Sequence, residues 1–313
     1  MNRGRVALLI AVTAINRPVM AQQLEPRPVP TRDVVSFTYQ SASMGVRYGI
    51  NVGLPVDFHP APGKKYPAMI TTDGDQEFVG VYDAARSLMS QRAIGEMFII
   101  SIGSELDQGD SSWIRRRFYE FTPANWDLKD SVGQLIAKVC EAYRSAPGRC
   151  TGGAPKFFES IVTEMLPLIL EKYPISPDQL GLFGISAGGY FASWAVFQSN
   201  SPFKKYLISS PALAYGNDEI FREEARYAAH HKDLDARIYF GAGSIEFQEE
   251  LFEAVVKTVS GMVHLAAVLQ TRNYPSLKLF TEIHPGMGHS DVMGTSVVRG
   301  LRSLYGAGQR LPN

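Results

Sequence analysis

The pentapeptide Gly184-Ile185-Ser186-Ala187-Gly188 has the form G-x-S-x-G, a spacing that can present a serine as a nucleophile. A hydroxyl acts in this way only when its oxygen is exposed beside a base and beside donors for the developing oxyanion. Residues 180–183 just before it read as a strand and residues 190–197 just after it as a helix. Ser186 therefore falls on a sharp strand-to-helix turn, with small residues two before and two after that let the turn pack. The helix N-terminus would aim the Ala187 N–H and a positive dipole end at the oxyanion. Without that context the same residues would be a Gly/Ser-rich turn with no chemistry.

A serine nucleophile placed in this way requires an acid and then a histidine later in the chain. Of the six histidines, His59, His230, His231 and His264 occupy positions that suit surface or packing roles. His289 follows the strand pattern at 277–283 through Pro285-Gly286-Met287-Gly288 and precedes a helical pattern, which hangs it over the strand ends. His284 competes, but it lies at the strand end directly before Pro285. Eleven carboxylates lie between Ser186 and His289, and only Glu246 follows a convincing strand, 237–240, across the loop Gly241-Ala242-Gly243-Ser244. Glu246 would hold the imidazole tautomer and stabilise the imidazolium. A second oxyanion donor should come from a loop after an early strand. Residues 66–72 run into Asp73-Gly74-Asp75, so the backbone N–H of Gly74 or Asp75 is the candidate; an ordinary Asp-Gly turn is the alternative. Asp73 and Asp75 have no third clustered ligand, so no metal or other cofactor is expected.

These residues must be held by a frame. Residues 34–39 and 46–54 alternate apolar and polar positions around a Ser-Ala-Ser-Met-Gly turn, which predicts an antiparallel N-terminal hairpin. Short apolar runs at 66–71, 97–102, 180–183, 237–240 and 277–283 predict further strands. Helical patterns occupy 157–170, 187–198, 220–230, 247–268 and 292–304. This alternation predicts an α/β fold, a mostly parallel sheet with helices on both faces. Residues 104–153 show little strand pattern beyond a helix near 131–143 and read as an insertion over the sheet. The mature chain, 22–313, reads as one domain.

The chain has 313 residues, with 31 Lys and Arg against 31 Asp and Glu, and 45 % hydrophobic residues. Such a composition excludes a disordered polyelectrolyte and gives no global basic field for nucleic acid. No run of about 18 apolar residues is evident, so no membrane span is expected in the mature chain. Residues 1–21 have the pattern of a signal peptide: Arg3 and Arg5, an apolar stretch from 6 to 15, and Val19-Met20-Ala21 before the cut. Its removal takes Arg3, Arg5 and Arg17 and leaves 28 basic against 31 acidic residues. Cys140 and Cys150 flank a polar turn containing Pro147-Gly148. In an exported, secreted or periplasmic protein they form a structural disulfide worth about 2–3 kcal/mol; in the cytosol they would be two unrelated thiols.

Taken together, the motifs resemble the esterase D / enterochelin-esterase-like family of α/β-hydrolases, which includes periplasmic siderophore esterases and feruloyl esterases. The similarity spans residues 37–305. Gly184-Ile185-Ser186-Ala187-Gly188-Gly189 carries it, and Arg117-Phe118-Tyr119-Glu120-Phe121-Thr122-Pro123 is similar to the family's R-x-x-D-x-T-P run, with Glu120 in place of Asp. Gly153, Phe157, Glu164 and Pro167 fall at the spacing of its G-x-x-x-F…E-L-x-P helix, and Asp73-Gly74, Gly243-Ser244-Ile245-Glu246 and Gly288-His289 match its other loops. The resemblance implies an α/β-hydrolase fold and hydrolysis of small carboxylic esters through an acyl-enzyme on Ser186, with His289 and Glu246. Trp113, Arg117 and Tyr119 are candidates for holding an aromatic or anionic substrate; a solvated basic loop with Arg117 paired to Glu120 is the alternative. The same machinery would serve an acyltransferase, and a catalytically silent binding protein is the reading from another class.

Overall fold

The computed structural model describes residues 33–104, 112–146 and 148–306. The expected signal peptide, 1–21, lies outside the described residues. Polar–apolar alternation builds the opening hairpin, β1 (Val34–Gln40) and β2 (Arg47–Gly53), paired antiparallel with Phe37 opposite Ile50. The remaining strands are β3 (Tyr66–Thr71), β4 (Phe98–Gly103), β5 (Ile175–Ile185), β6 (Lys205–Ser209), β7 (Arg237–Gly243) and β8 (Lys278–His284). They form one eight-stranded sheet in the order β1-β2-β4-β3-β5-β6-β7-β8. β2 pairs antiparallel with β4, and every pairing from β4 through β8 is parallel. The expected α/β architecture with an antiparallel hairpin at one edge is the architecture observed.

The central strands are continuous apolar runs because helices cover both of their faces. On one face, α1 (Gly74–Ser90) and α9 (Val292–Tyr305) pack Phe78, Val81, Tyr82, Val297 and Leu301 against Met69, Phe183 and Leu207. The other face carries α2 (Ser112–Phe121), α3 (Ser131–Ala142), α4 (Ala154–Glu159), α5 (Leu166–Lys172), α6 (Ala187–Ala195), α7 (Tyr215–His230) and α8 (Thr258–Thr271). A π turn, Ser160–Met165, joins α4 to α5.

Three elements were not expected. β6 is only five residues long, α1 begins inside the Asp-Gly turn, and α2 forms where a solvated basic loop was the alternative. The 104–153 segment is more than a surface addition. Phe118, Phe121, Val132 and Ile136 join Phe157 and Phe191 in one buried cluster, and Cys140 is bridged to Cys150. Among the described residues one stretch, Glu250–Thr271, is long and apolar enough, at mean hydropathy 1.5, to cross a membrane by length and composition. Within it Val259, Met262, Leu265 and Leu269 are buried, the packing of a core helix.

Candidate active site

β5 ends at Ile185 and α6 starts at Ala187, so the whole reversal falls on Ser186, at φ 58° and ψ −118°. A non-glycine residue held there costs on the order of 1–3 kcal/mol and persists only where its surroundings over-determine it. They do so here. The Ser186 N–H donates to the Ser209 carbonyl (3.1 Å), and the Ser186 carbonyl accepts from Tyr190 (2.9 Å) and Ala212 (3.1 Å). A Cβ on Gly184 would collide with the Gly188 carbonyl, which explains the small residue two before the serine.

His289 and Glu246 approach from the neighbouring strand ends. Nδ1 of His289 lies 2.6 Å from Oε1 of Glu246, which is wholly buried. The other carboxylate oxygen accepts from the Gly243 N–H (2.6 Å) and the Ser210 hydroxyl (2.8 Å). A buried carboxylate with this many donors is held in one orientation. The loops carrying the pair are tied together: Ser244 N–H donates to the His284 carbonyl, Ile245 N–H to the Met287 carbonyl, and Gly286 N–H to Ser244 Oγ, each at 2.9 Å. No hydrogen bond joins Ser186 Oγ to His289 in this structure, and such bonds commonly tighten only when substrate is bound. His284, the competitor, is buried against the Tyr239 hydroxyl (3.1 Å), and burial lowers its pKa. Phe252 lies face-on to the His289 imidazole, centroids 3.8 Å apart and planes at 15°.

The loop after β3 runs against the serine turn: a Cβ on Gly188 would sit 2.7 Å from Thr72 Oγ1 and 3.2 Å from Asp73 Oδ2. Asp73 is left-handed (φ 51°), and its carbonyl takes the N–H groups of Gln76 (2.9 Å) and Glu77 (3.0 Å). The Asp75 carboxylate accepts from the Ser104 N–H (2.8 and 3.0 Å) and from its own backbone N–H. Of the two candidate oxyanion donors, that leaves Gly74 as the one with its N–H unengaged among the described residues. Burial raises the pKa of Asp75, and burial with Asp73 nearby pushes Glu77 up to about 7.

Trp113, Arg117 and Tyr119 have different neighbours. Arg117 is paired with Asp73, not Glu120: Nε donates at 2.9 and 3.0 Å, Nη2 lies 2.8 Å from Oδ2, and Nη2 also donates to the Ile185 carbonyl (3.1 Å). Burial works against its charge, but Asp73 outweighs it and the pKa is raised. Trp113 stands 5.6 Å from this guanidinium, while Tyr119 packs against Gly153 and below Arg149. Glu120 is bridged instead by Arg116 (3.1 Å). The 104–153 segment does border a cavity of about 430 Å³, lined by Trp126, Asp127, Lys129, Asp130, Val132, Gly133, Gly216 and Asn217. Among the described residues no group of three His, Cys, Asp or Glu side chains is placed to hold a metal ion.

Sequence spacing did not single out Ser210, Phe252 or the Arg117–Asp73 pair. Ser210 carried one signal, its place directly after a short apolar run; Phe252 carried none, because its partner lies on another loop.

The family described as "Putative esterase" matches residues 41–276. Siderophore triacetylfusarinine C esterase of Aspergillus fumigatus is 25 % identical over 90 % of this chain and 96 % of its own length. Siderophore enterobactin esterase of Emericella nidulans is 30 % identical over 58 % of each chain. Among solved structures, the BES protein from Bacillus cereus superposes with a TM-score of 0.75 at 24 % identity, covering 91 % of this chain and all of that one, a likeness of fold.

Proposed function

Since the chain belongs to the "Putative esterase" family and is a carboxylic ester hydrolase, we propose that it works through an acyl-enzyme on Ser186, with His289 as base and Glu246 as the acid that orients it. The observation that carries this reading is the 2.6 Å contact between His289 Nδ1 and the buried Glu246, together with a serine held at positive φ between β5 and α6. With Nδ1 engaged by the carboxylate, Nε2 is left as the acceptor for the Ser186 proton, and Glu246 stabilises the imidazolium that results. Attack on the ester carbonyl places the oxyanion before the N–H groups of Ala187 and Gly74, both fixed before reaction. His289 then returns the proton to the leaving alcohol, and water, activated in the same way, releases the acid.

The substrate in this proposal is a small ester of the siderophore class. Its support is the siderophore-esterase activity of the relatives. The enzyme is also proposed to be exported, on the strength of the Cys140–Cys150 bridge. The test is hydrolysis of triacetylfusarinine C, enterobactin and a series of p-nitrophenyl esters by wild type and Ser186→Ala. Cleavage of a siderophore ester, reduced at least about 10³-fold in the variant, is expected. An unaffected variant would reject the nucleophile; cleavage of simple esters alone would reject the substrate class.

A further inference from the structure

We propose that Phe252 is a positioning residue for His289, fixing the plane of the imidazole and favouring its protonated form during proton transfer. The inference rests on His289 being the base.

Glu246 holds His289 at one in-plane point, Nδ1. A single hydrogen bond leaves the ring free to swing about the line between donor and acceptor, and that swing carries Nε2 away from the serine. Phe252 removes this freedom, because its ring lies parallel to the imidazole at 3.8 Å. The two constraints come from one stretch of chain, six residues apart, so carboxylate and aromatic ring form a single cradle.

Phe252 is partly buried and also touches the rim of the main hydrophobic cluster, so packing and stacking both act on its ring. Phe252 belongs to an irregular π-helical turn, Glu250–Val255, in which no residue is buried, and its neighbours Phe247 and Leu251 are 48 % and 42 % exposed. The turn is nevertheless firmly attached. Glu253 accepts from the Val259 and Ser260 N–H groups (3.1 and 3.3 Å), and the Val256 carbonyl accepts from Ala214 (3.1 Å). Among the described residues, the ring that Phe252 stacks on is the His289 imidazole.

A cation over a π face is stabilised more than a neutral ring. Stacking therefore favours the imidazolium that forms when Ser186 gives up its proton. Among the described residues, the other charged or titratable groups about this ring include Glu246, Glu249 against Gly288, Asp291 on the Gly288 N–H, His284 behind Glu246, and Glu253, which accepts from the first N–H groups of α8. Each is unchanged by substitution at Phe252.

The test compares Phe252→Leu and Phe252→Tyr with wild type by steady-state kinetics across pH. Phe252→Leu is expected to lower kcat about 10-fold while KM changes less than about 2-fold, and to move the acid limb of the rate profile down by about half a pH unit. Phe252→Tyr is expected to keep the limb in place and kcat within about 2-fold. An acid limb unmoved in Phe252→Leu, or equal losses in both variants, overturns the proposal in favour of plain packing. A readout on wild type does not depend on either variant folding: the His289 ring-proton resonances should be shifted upfield by the face of Phe252, and ordinary positions overturn the stack. Absence of ester hydrolysis by wild type would instead count against the function proposed above.

Discussion

Asp73 occupies a left-handed conformation at the start of α1, and Arg117 reaches it from α2 while also holding the carbonyl of Ile185, the residue before the proposed nucleophile. One guanidinium thus joins the two backbone segments that present Ala187 and Gly74. Both partners are largely buried, with side chains 12 % and 4 % exposed. Removing one member of such a pair strands the other charge in a poor solvent, which costs about 3–5 kcal/mol. Arg117→Met should lower the unfolding free energy by that order in a denaturant titration. Arg117→Lys should recover little, because one ammonium cannot serve the carboxylate and the carbonyl in the same fork geometry. An Arg117→Met variant as stable as wild type would remove this side chain from the frame of the site. Ser186, Glu246 and His289 could be proposed from the sequence because each follows a strand pattern through a short glycine-containing loop or turn. Arg117 could not be read in the same way: its partner lies 44 residues earlier, and local spacing offered Glu120 instead.

At the scale of elements, Glu164 shows how a motif residue can serve the frame rather than the chemistry. From the π turn it accepts from the Ala42 N–H (3.1 Å), the Ser43 N–H (2.9 Å), the Tyr39 hydroxyl (3.2 Å) and the Ser160 hydroxyl (3.4 Å), fastening the β1–β2 hairpin to the helix. Desolvation pushes its carboxyl up, but the hydrogen bonds, led by Ser43, outweigh it and hold the pKa at about 2, against an ordinary value of 4.5. A carboxyl depressed in the folded state contributes stability that is fully present above the ordinary value and is lost as pH falls through the folded one. Thermal midpoints should therefore decline between about pH 4.5 and pH 2, and Glu164→Gln should be less stable at pH 7 with a shallower decline in that window. Equal pH slopes for the two proteins would contradict this role. The strands and their order of appearance were legible because their apolar runs end in turn residues. β6 was missed because five residues give little pattern, and α1 because its Asp-Gly start reads locally as a turn.

At the scale of the molecule, the cysteine-bounded segment illustrates the limit of pattern reading. Its helices are amphipathic, yet nothing local shows that Phe118, Phe121 and Ile136 close over the same core as Phe157 and Phe191. Because the segment packs there, the bridge at Cys140 and Cys150 constrains part of the core rather than a loose flap. Replacing both cysteines with serine should cost about 2–3 kcal/mol, measured as a fall in the unfolding midpoint under non-reducing conditions. Free-thiol titration of unfolded, unreduced protein exported to the periplasm should find no reactive thiols; two would reject both the bridge and its bearing on export.

The three residues of the proposed triad are not carried equally deep in the sheet. Ser186 follows the end of β5, a central strand flanked by β3 and β6, whereas His289 follows β8, an edge strand in which only His284 is buried. Fraying that begins at the β8 edge would therefore silence proton transfer while the strained serine turn kept its shape. Such a molecule would lose turnover in mild denaturant well before its core melted. Its activity would then report on the condition of one edge, and its spectroscopic midpoint on the strength of the whole.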